Sequence, residues 1–177
     1  MARYQYILDR LNEIGYNDDP FVVDCACGYG KGTKILSEIK GCTVKGFDIS
    51  PKIISKYASF QDIDVACADI TSLPLNDKSV DIFVCSETLE HLTEKESIKA
   101  VSEICRVCKS DAEICITVPF DKRSLKTGSH KQFISEKKIK KMFNGYDVLH
   151  CSYYNLKKRK KTKGVKGNLV IIFRKNT

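Results

Sequence analysis

Residues 22–33 constrain the fold of this chain more than any other segment. They read Val-Val-Asp-Cys-Ala-Cys-Gly-Tyr-Gly-Lys-Gly-Thr: the end of a short apolar strand, a loop of small residues and the start of a helix. Gly28, Gly30 and Gly32 carry no Cβ, so backbone amides there can come close to a ligand. About twenty residues later a second strand ends in Asp48, whose carboxylate can accept hydrogen bonds from ribose hydroxyls. The pattern is typical of a parallel α/β sheet that binds its ligand beyond the first strand.

Strands and helices alternate along most of the chain. Alternation of this kind predicts a doubly wound parallel sheet with helices on both faces. We expect capping of the two later helices by Thr93 with Glu96 and by Ser135. The sequence predicts one domain over residues 1–177, a three-layer α/β fold whose mostly parallel sheet has seven strands and a C-terminal antiparallel hairpin. The predicted strands are 21–23, 43–47, 63–67, 80–85, 112–118, 147–155 and 168–174.

Composition narrows the class of protein. No apolar stretch reaches the roughly 18–20 residues of a membrane span, and the start of the chain lacks the apolar segment of a signal peptide, so we expect a cytoplasmic protein with no membrane partner. The nine cysteines are an odd number, and we expect reduced thiols. Cys67, Cys85 and Cys115 fall in strands, where we expect small buried apolar side chains.

The formal net charge of +8 owes much to the basic run at 157–163. Such a run is typical of a solvated loop, and the alternative is a contact for phosphate-bearing partners such as RNA. Aromatic residues do not interleave the run, so base stacking is not indicated there.

Further fragments follow the glycine loop in a fixed order. Asp48-Ile49 ends strand two, Asp69-Ile70 follows strand three, and Ser86-Glu87 precedes Glu90-His91-Leu92 after strand four. Their order and spacing resemble class I S-adenosylmethionine-dependent methyltransferases, in particular the small branch with Asp-x-Ala-Cys-Gly-x-Gly in the first loop. The implied fold is Rossmann-like. A nicotinamide dinucleotide is the alternative ligand, but its fingerprint requires a third glycine where this chain has Thr33.

The resemblance implies a site for S-adenosylmethionine. Asp48 would bind the ribose hydroxyls, Asp69 would accept from the adenine amino group, and Ser86 would lie near the transferred methyl. The full set of implied cofactor-binding residues is Arg3, Asp24, Cys25, Ala26, Gly28, Gly30, Asp48, Ile49, Asp69, Ile70 and Ser86. Ala26 stands where most relatives have glycine. Its methyl group fits if φ there is negative, and we expect cofactor binding to survive.

Methyl transfer to a hydroxyl also requires loss of a proton, to a general base or with the help of a metal. If a helix begins at the end of strand four, Glu87, Glu90 and His91 share one face, and His130 follows strand five. This set resembles metal-dependent O-methyltransferases. The candidate catalytic residues are His91, His130 and Glu87, and the candidate ligands of a divalent cation are Glu87, Glu90, His91 and His130. A purely structural role is the remaining interpretation.

The chain lacks the Asn/Asp-Pro-Pro-aromatic motif of enzymes that methylate amino groups of DNA bases. Its absence argues against methylation of those amino groups. The resemblance in the Asp-x-Ala-Cys-Gly loop and in the segment at 130–133 implies O-methylation of a small-molecule or sugar hydroxyl, with a small molecule or glycan as acceptor. The alternatives are an RNA 2′-hydroxyl methyltransferase that uses the run at 157–163, and a non-catalytic partner subunit that binds the cofactor. The sequence leaves the oligomeric state open.

Overall fold

The computed structural model describes residues 2–57, 63–120, 128–155, 160–161 and 167–176. Most of the basic run at 157–163 therefore lies outside the described residues. The elements, in chain order, are α1 (Ala2–Ile14), β1 (Phe21–Cys25), α2 (Lys31–Leu36), β2 (Thr43–Asp48), α3 (Pro51–Tyr57), β3 (Asp64–Cys67), β4 (Val80–Ser86), a 3₁₀ turn (Leu89–His91), α4 (Glu94–Val107), β5 (Cys108–Pro119), α5 (Glu136–Met142), β6 (Tyr146–Asn155), β7 (Lys160–Lys161) and β8 (Asn168–Lys175).

All the strands belong to one sheet with the order β3-β2-β1-β4-β5-β8-β6-β7. Strands β1 to β5 pair in parallel, and β8 pairs antiparallel with both β5 and β6. This confirms the doubly wound sheet with a C-terminal antiparallel hairpin. The two-residue β7 on the end of β6 is an eighth strand that the sequence did not predict. The strand order reverses between β1 and β4, which is where open α/β sheets bind ligands.

Helices cover both faces of the sheet, as a three-layer fold requires. Successive residues of a strand point to opposite faces, so Val22 packs with α1 and α2 while Val23 packs with α4 and α5. Both side chains are fully buried. The predicted helix starts are confirmed. Thr93 and Glu96 form a reciprocal capping box on α4, and Ser135 Oγ accepts from the backbone amide of Lys138 at 3.2 Å.

The cysteines are all free thiols, but not all are buried. Cys85 and Cys115 are fully buried, as expected. The expectation for Cys67 is wrong, because this residue is exposed at the end of β3, which pairs on one side only with β2. Among the described residues, no helix has the length and apolarity to cross a membrane.

Candidate functional site

A cavity of about 680 Å³ opens at the carboxyl ends of β1, β2, β3 and β4. Its volume is in the range of small-molecule sites, and its position is the one expected from the reversal of strand order. The structure brings many of the predicted site residues together here. Those in its wall are Cys25, Ala26, Asp48, Ile49, Asp69, Ile70, Glu87 and His91.

The glycine loop follows Cys25 and Ala26, which are part of the cavity wall. Gly28 and Gly30 adopt left-handed conformations, with φ of +54° and +60°. A Cβ built on Gly28 would meet nothing within 4 Å, so the backbone there is open. The loop is held to β2, since the amide of Cys27 donates to the carbonyl oxygen of Phe47 at 2.9 Å. The loop is therefore tied to the end of β2 by a backbone hydrogen bond.

Ala26 also has a left-handed conformation, with φ of +60°. The condition of a negative φ is therefore not met. The chain must turn sharply here for the next amide to reach Phe47, and this turn overrides the preference of an alanine. A side chain in this region costs about 1 kcal/mol relative to glycine. The residue lies in the cavity wall, so its strain is located at the site.

Asp48 ends β2 and is 9% exposed. Its Oδ2 accepts from the amide of Gly28 and its Oδ1 from the amide of Ser50, both at 2.9 Å. Each carboxylate oxygen keeps a further lone pair, so both remain able to accept from a ligand. Ile49 beside it is 66% exposed, which is unusual for an isoleucine and provides an apolar surface along the cavity.

Asp69 follows β3 and is held by the turn after it. Its Oδ1 accepts from the amide and the hydroxyl of Thr71, at 2.8 and 2.9 Å. Ile70, next in the chain, is 7% exposed and lines the cavity. A carboxylate fixed above an apolar side chain can recognise a flat ring with an amino group on its edge.

Asp24 lies in the interior, fully buried. It accepts from the hydroxyls of Tyr4 at 2.8 Å and Thr33 at 2.7 Å. Burial raises the pKa of its carboxyl group to about 6, although these two hydrogen bonds and the charge of Arg3 lower it. It is not among the described residues in the cavity wall. Its observed contacts fix α1 and α2 around the loop, through two partners that sequence reasoning missed.

The raised pKa of Asp24 predicts a pH-dependent stability. The group is neutral in both folded and unfolded protein below pH 4, and between pH 4 and 6 the unfolded state ionises first. Stability is therefore lost as the pH rises through this window, by roughly 3 kcal/mol. In Asp24→Asn this loss is absent. The difference in unfolding free energy between variant and wild type therefore shifts in favour of the variant as the pH rises from 4 to 7. Urea unfolding at several pH values measures the difference, and parallel wild-type and variant profiles would contradict the assignment.

Glu87 does not share a helical face with Glu90 and His91. Only a 3₁₀ turn forms here, at Leu89–His91, and Glu87 precedes it with φ of +55°. Its Oε1 accepts from the Thr117 hydroxyl at 3.1 Å, and its Oε2 lies 3.8 Å from Arg3. Burial raises the pKa of Glu87, opposed by Arg3. The expected helical register is wrong because a left-handed residue turns the carboxylate toward β5 and α1.

Ser86 is buried at 6% exposure, and its hydroxyl lies 2.9 Å from that of Thr117. It is not among the described residues that line the cavity, and neither are Arg3, Gly28 and Gly30. The wall beyond β4 is formed instead by Glu87, Thr88, His91 and Leu92.

Glu90, His91 and His130 form a second group, the Glu90–His91–His130 cluster. One ligand atom from each lies within 4.8 Å of the others. Glu90 is 2% exposed, and burial, with the nearby Glu87, raises its pKa to about 8. His91 Nδ1 lies 3.0 Å from the carbonyl oxygen of Ser129. Because a carbonyl can only accept, Nδ1 carries the proton, and in the neutral ring Nε2 has a free lone pair.

The segment that carries His130 is tied to the 3₁₀ turn. The amides of Lys131 and Gln132 both donate to the carbonyl oxygen of Glu90, at 2.8 and 3.3 Å. The side-chain amide of Gln132 also donates to the carbonyl oxygens of Leu89 and Leu92. The rings of His91 and His130 meet edge to face, with centroids 4.7 Å apart. Burial and His91 lower the pKa of His130. The role of Gln132 could not be read from the sequence, because it depends on contacts about forty residues away.

Known proteins share this architecture. A family model described as "Methyltransferase domain" matches residues 23–116, which is more than half of the chain. A probable S-adenosylmethionine-dependent methyltransferase of Mycolicibacterium smegmatis is 26% identical over 118 residues, covering 66% of this chain and 44% of that protein. Norajmaline N-methyltransferase of Rauvolfia serpentina is 27% identical over 162 residues, covering 85% of this chain and 54% of that enzyme. The chain thus spans about half the length of these two curated relatives.

Among solved structures, one neighbour is a proposed methyltransferase of Haloferax volcanii in complex with the Trm112 methyltransferase activator. It superposes with a TM-score of 0.76 at 17% identity, over 99% of this chain and 95% of that one. At this identity the likeness shows the fold alone. The family match over residues 23–116 shows that the chain belongs to the methyltransferase-domain family.

Proposed function

We propose that this methyltransferase transfers a methyl group to the oxygen of a small-molecule or sugar hydroxyl. The observation that carries the proposal is His91, which lies in the cavity wall and whose Nδ1 contacts the carbonyl oxygen of Ser129, so that in the neutral ring the lone pair is on Nε2. A hydroxyl is a poor nucleophile until its proton is removed, and an imidazole nitrogen at the cavity wall can accept it. Bound S-adenosylmethionine supplies a methyl group on a positively charged sulfur. As the acceptor oxygen bonds to the methyl carbon, the bond from that carbon to sulfur breaks, and the sulfur leaves as a neutral thioether.

The proposed donor site follows the cavity from strand to strand. Asp48 accepts from both ribose hydroxyls, since its oxygens are held in place by two backbone amides. Ile49 and Ile70 pack on the adenine faces, and Asp69 accepts from the adenine amino group. The support is the exposed Ile49 surface and the fixed Asp69 carboxylate in one wall.

The methionine part would lie against the glycine loop, at Cys25, Ala26, Gly28 and Gly30. Arg3 would bind its carboxylate. Among the described residues the buried Nε of Arg3 has no hydrogen-bond partner, so the guanidinium retains a donor for an anion. Asp24 would act from behind the loop, by fixing the position of α1 and α2 around it. Ser86 would support the site through Thr117, which also donates to Glu87.

Two other acceptors or roles have some support. The net charge of +8 favours a phosphate-bearing acceptor, and RNA 2′-hydroxyl methylation is the second candidate function. A non-catalytic partner subunit that binds the cofactor is the third candidate role, supported by a structural neighbour that is a methyltransferase in complex with an activator. One curated relative is named for methylation of nitrogen, so the atom that receives the methyl group is itself an outcome to be measured.

The test is acceptor screening with isotopically labelled S-adenosylmethionine, over hydroxyl metabolites, glycans, RNA and amines. We expect labelled methyl ethers, identified by mass fragmentation, and a rate at least about 100-fold lower for His91→Gln, since general acid–base groups contribute 10²–10⁴-fold. His150→Gln is the matched control, because His150 lies on β6 and its Nε2 contacts Ser152 at 2.9 Å. Label on nitrogen, or an unchanged rate for His91→Gln, would contradict the proposal.

A further inference from the structure

A second concave site, the α4–α5 groove, lies between the helices α4 and α5. Its volume is about 610 Å³, which is in the range of sites that hold a bound group. It is lined by Glu94 and Ile98 of α4 and by Lys137, Lys138, Lys141 and Met142 of α5. None of these six is among the described residues that line the cavity at the strand ends, so the groove is separate from the candidate donor site.

The apolar part of the groove includes an isoleucine that the fold leaves in solvent. Ile98 is 62% exposed, whereas Val101, one turn further along α4, is 7% exposed. Met142 is half-buried and lines the same groove, and the flexible side chain of methionine adapts to the shape of an apolar group beside it. An exposed isoleucine that shares a concave site with a methionine indicates contact with another molecule.

The lining of the groove also carries positive charge that the fold does not neutralise. Lys138 is already engaged, since its Nζ lies 3.2 Å from Oε1 of Glu94 and donates to Oε1 of Gln132 at 2.9 Å. Lys137 and Lys141 are exposed, and neither forms an ion pair with another residue that the structure describes. With three lysines and one glutamate, the lining has a net charge of +2. The groove therefore attracts an anionic partner.

We propose that the α4–α5 groove binds an acidic segment of another protein. One apolar side chain of that segment packs on Ile98 and Met142, and its carboxylates lie beside Lys137 and Lys141. The apolar contact provides an anchor, and the complementary charges provide specificity and speed association.

Three other occupants fit the groove less well. A second copy of this chain would bring a net charge of +8 to a basic groove. Nucleic acid would meet no aromatic ring on which to stack a base among the described lining residues, and its phosphates would lie against Ile98. A lipid bilayer is flat, whereas the site is concave.

Fluorescence anisotropy of a labelled peptide, Glu-Asp-Glu-Leu-Glu-Asp-Glu, tests the proposal on the full chain. We expect saturable binding with a Kd at or below about 100 µM that weakens as the salt concentration rises. Two comparison peptides carry the same label. One has serine in place of leucine, and the other has glutamine and asparagine in place of the acids. Each should bind at least about fivefold more weakly, because one lacks the apolar anchor and the other the charges.

Variants of the protein locate the binding. Ile98→Ser should weaken binding of the acidic peptide about tenfold, because it removes the apolar contact and leaves the charges in place. The double variant Lys137→Gln/Lys141→Gln should weaken it about five- to tenfold and reduce its dependence on salt. All three positions are exposed, so these changes should leave the fold intact.

Leu149→Ser and Lys52→Gln are the matched controls. Leu149 is an exposed leucine on β6, and Lys52 is an exposed lysine on α3. Both variants should bind the peptide as wild type does. The basic run at 157–163 is unchanged in every variant, so attraction of the peptide to that run does not produce the expected differences.

The absence of saturable binding, or equal affinity in Ile98→Ser and wild type, would overturn the proposal. An RNA oligonucleotide that displaces the peptide, and whose own affinity falls in Ile98→Ser, would assign the groove to nucleic acid and overturn it as well. Neither donor nor acceptor is present in these titrations, so their outcome is independent of the proposed function.

Discussion

Asp48→Ala should reduce the affinity for S-adenosylmethionine by about 100- to 1000-fold. The side chain is placed to accept two hydrogen bonds from the ribose, and hydrogen bonds to a charged group contribute about 1.5–3 kcal/mol each. Its loss also removes the acceptor from the amide of Gly28, so the glycine loop loses a support. Calorimetric titration of wild type and variant with the donor measures the effect.

The matched control is Asp64→Ala. Asp64 begins β3, on the neighbouring strand, and its exposed carboxylate lies 3.0 Å from Lys45. It is not among the described residues of the cavity wall. This variant should keep wild-type donor affinity. If circular dichroism shows both variants folded and they bind the donor with equal affinity, the assignment of Asp48 to the ribose hydroxyls is wrong.

Gly32→Ala should destabilise the protein by roughly 3–5 kcal/mol. Gly32 was expected from the sequence to bring its amide close to the ligand, but the structure gives it another role. A Cβ on Gly32 would overlap the ring of Tyr4, whose hydroxyl donates to the buried Asp24. Overpacking costs about 1–3 kcal/mol, and an impaired hydrogen bond to a buried group adds a comparable amount. Urea unfolding measures the loss.

A double-mutant cycle isolates the cause. In a Tyr4→Ala background the ring is gone, and with it the three atoms nearest to the added methyl group. Gly32 lies in α2, where alanine is a better helix former than glycine by up to about 1 kcal/mol. Gly32→Ala should therefore be neutral or slightly stabilising in that background. A similar destabilisation in both backgrounds would show that the ring is not the reason for glycine at this position.

Much of the fold could be predicted from the sequence, because it depends on local signals. Apolar runs separated by turns define the strands, and Thr93 and Ser135 mark the helix starts. Parallel strands end at the same edge of a sheet, so Asp48 and Asp69 were expected to meet there, and both line one cavity. These predictions need only periodicity and the geometry of a parallel sheet.

The remaining features depend on long-range contacts that periodicity does not encode. The φ of Ala26 is set by a hydrogen bond to β2, and Gly32 is paired with Tyr4 from another helix. Glu87 turns away from Glu90 because of its own left-handed backbone. The burial of Glu90 arises only when the segment around Gln132 folds over it. In each case the tertiary fold decides the outcome at a single residue.

The account rests on the identity of the ligand in the cavity at the strand ends. The most direct measurement is calorimetric titration of the purified protein with S-adenosylmethionine, with its demethylated product and with NAD. We predict saturable binding of one equivalent of each of the first two, and no binding of NAD. Binding of NAD with no response to S-adenosylmethionine or its product would contradict the account.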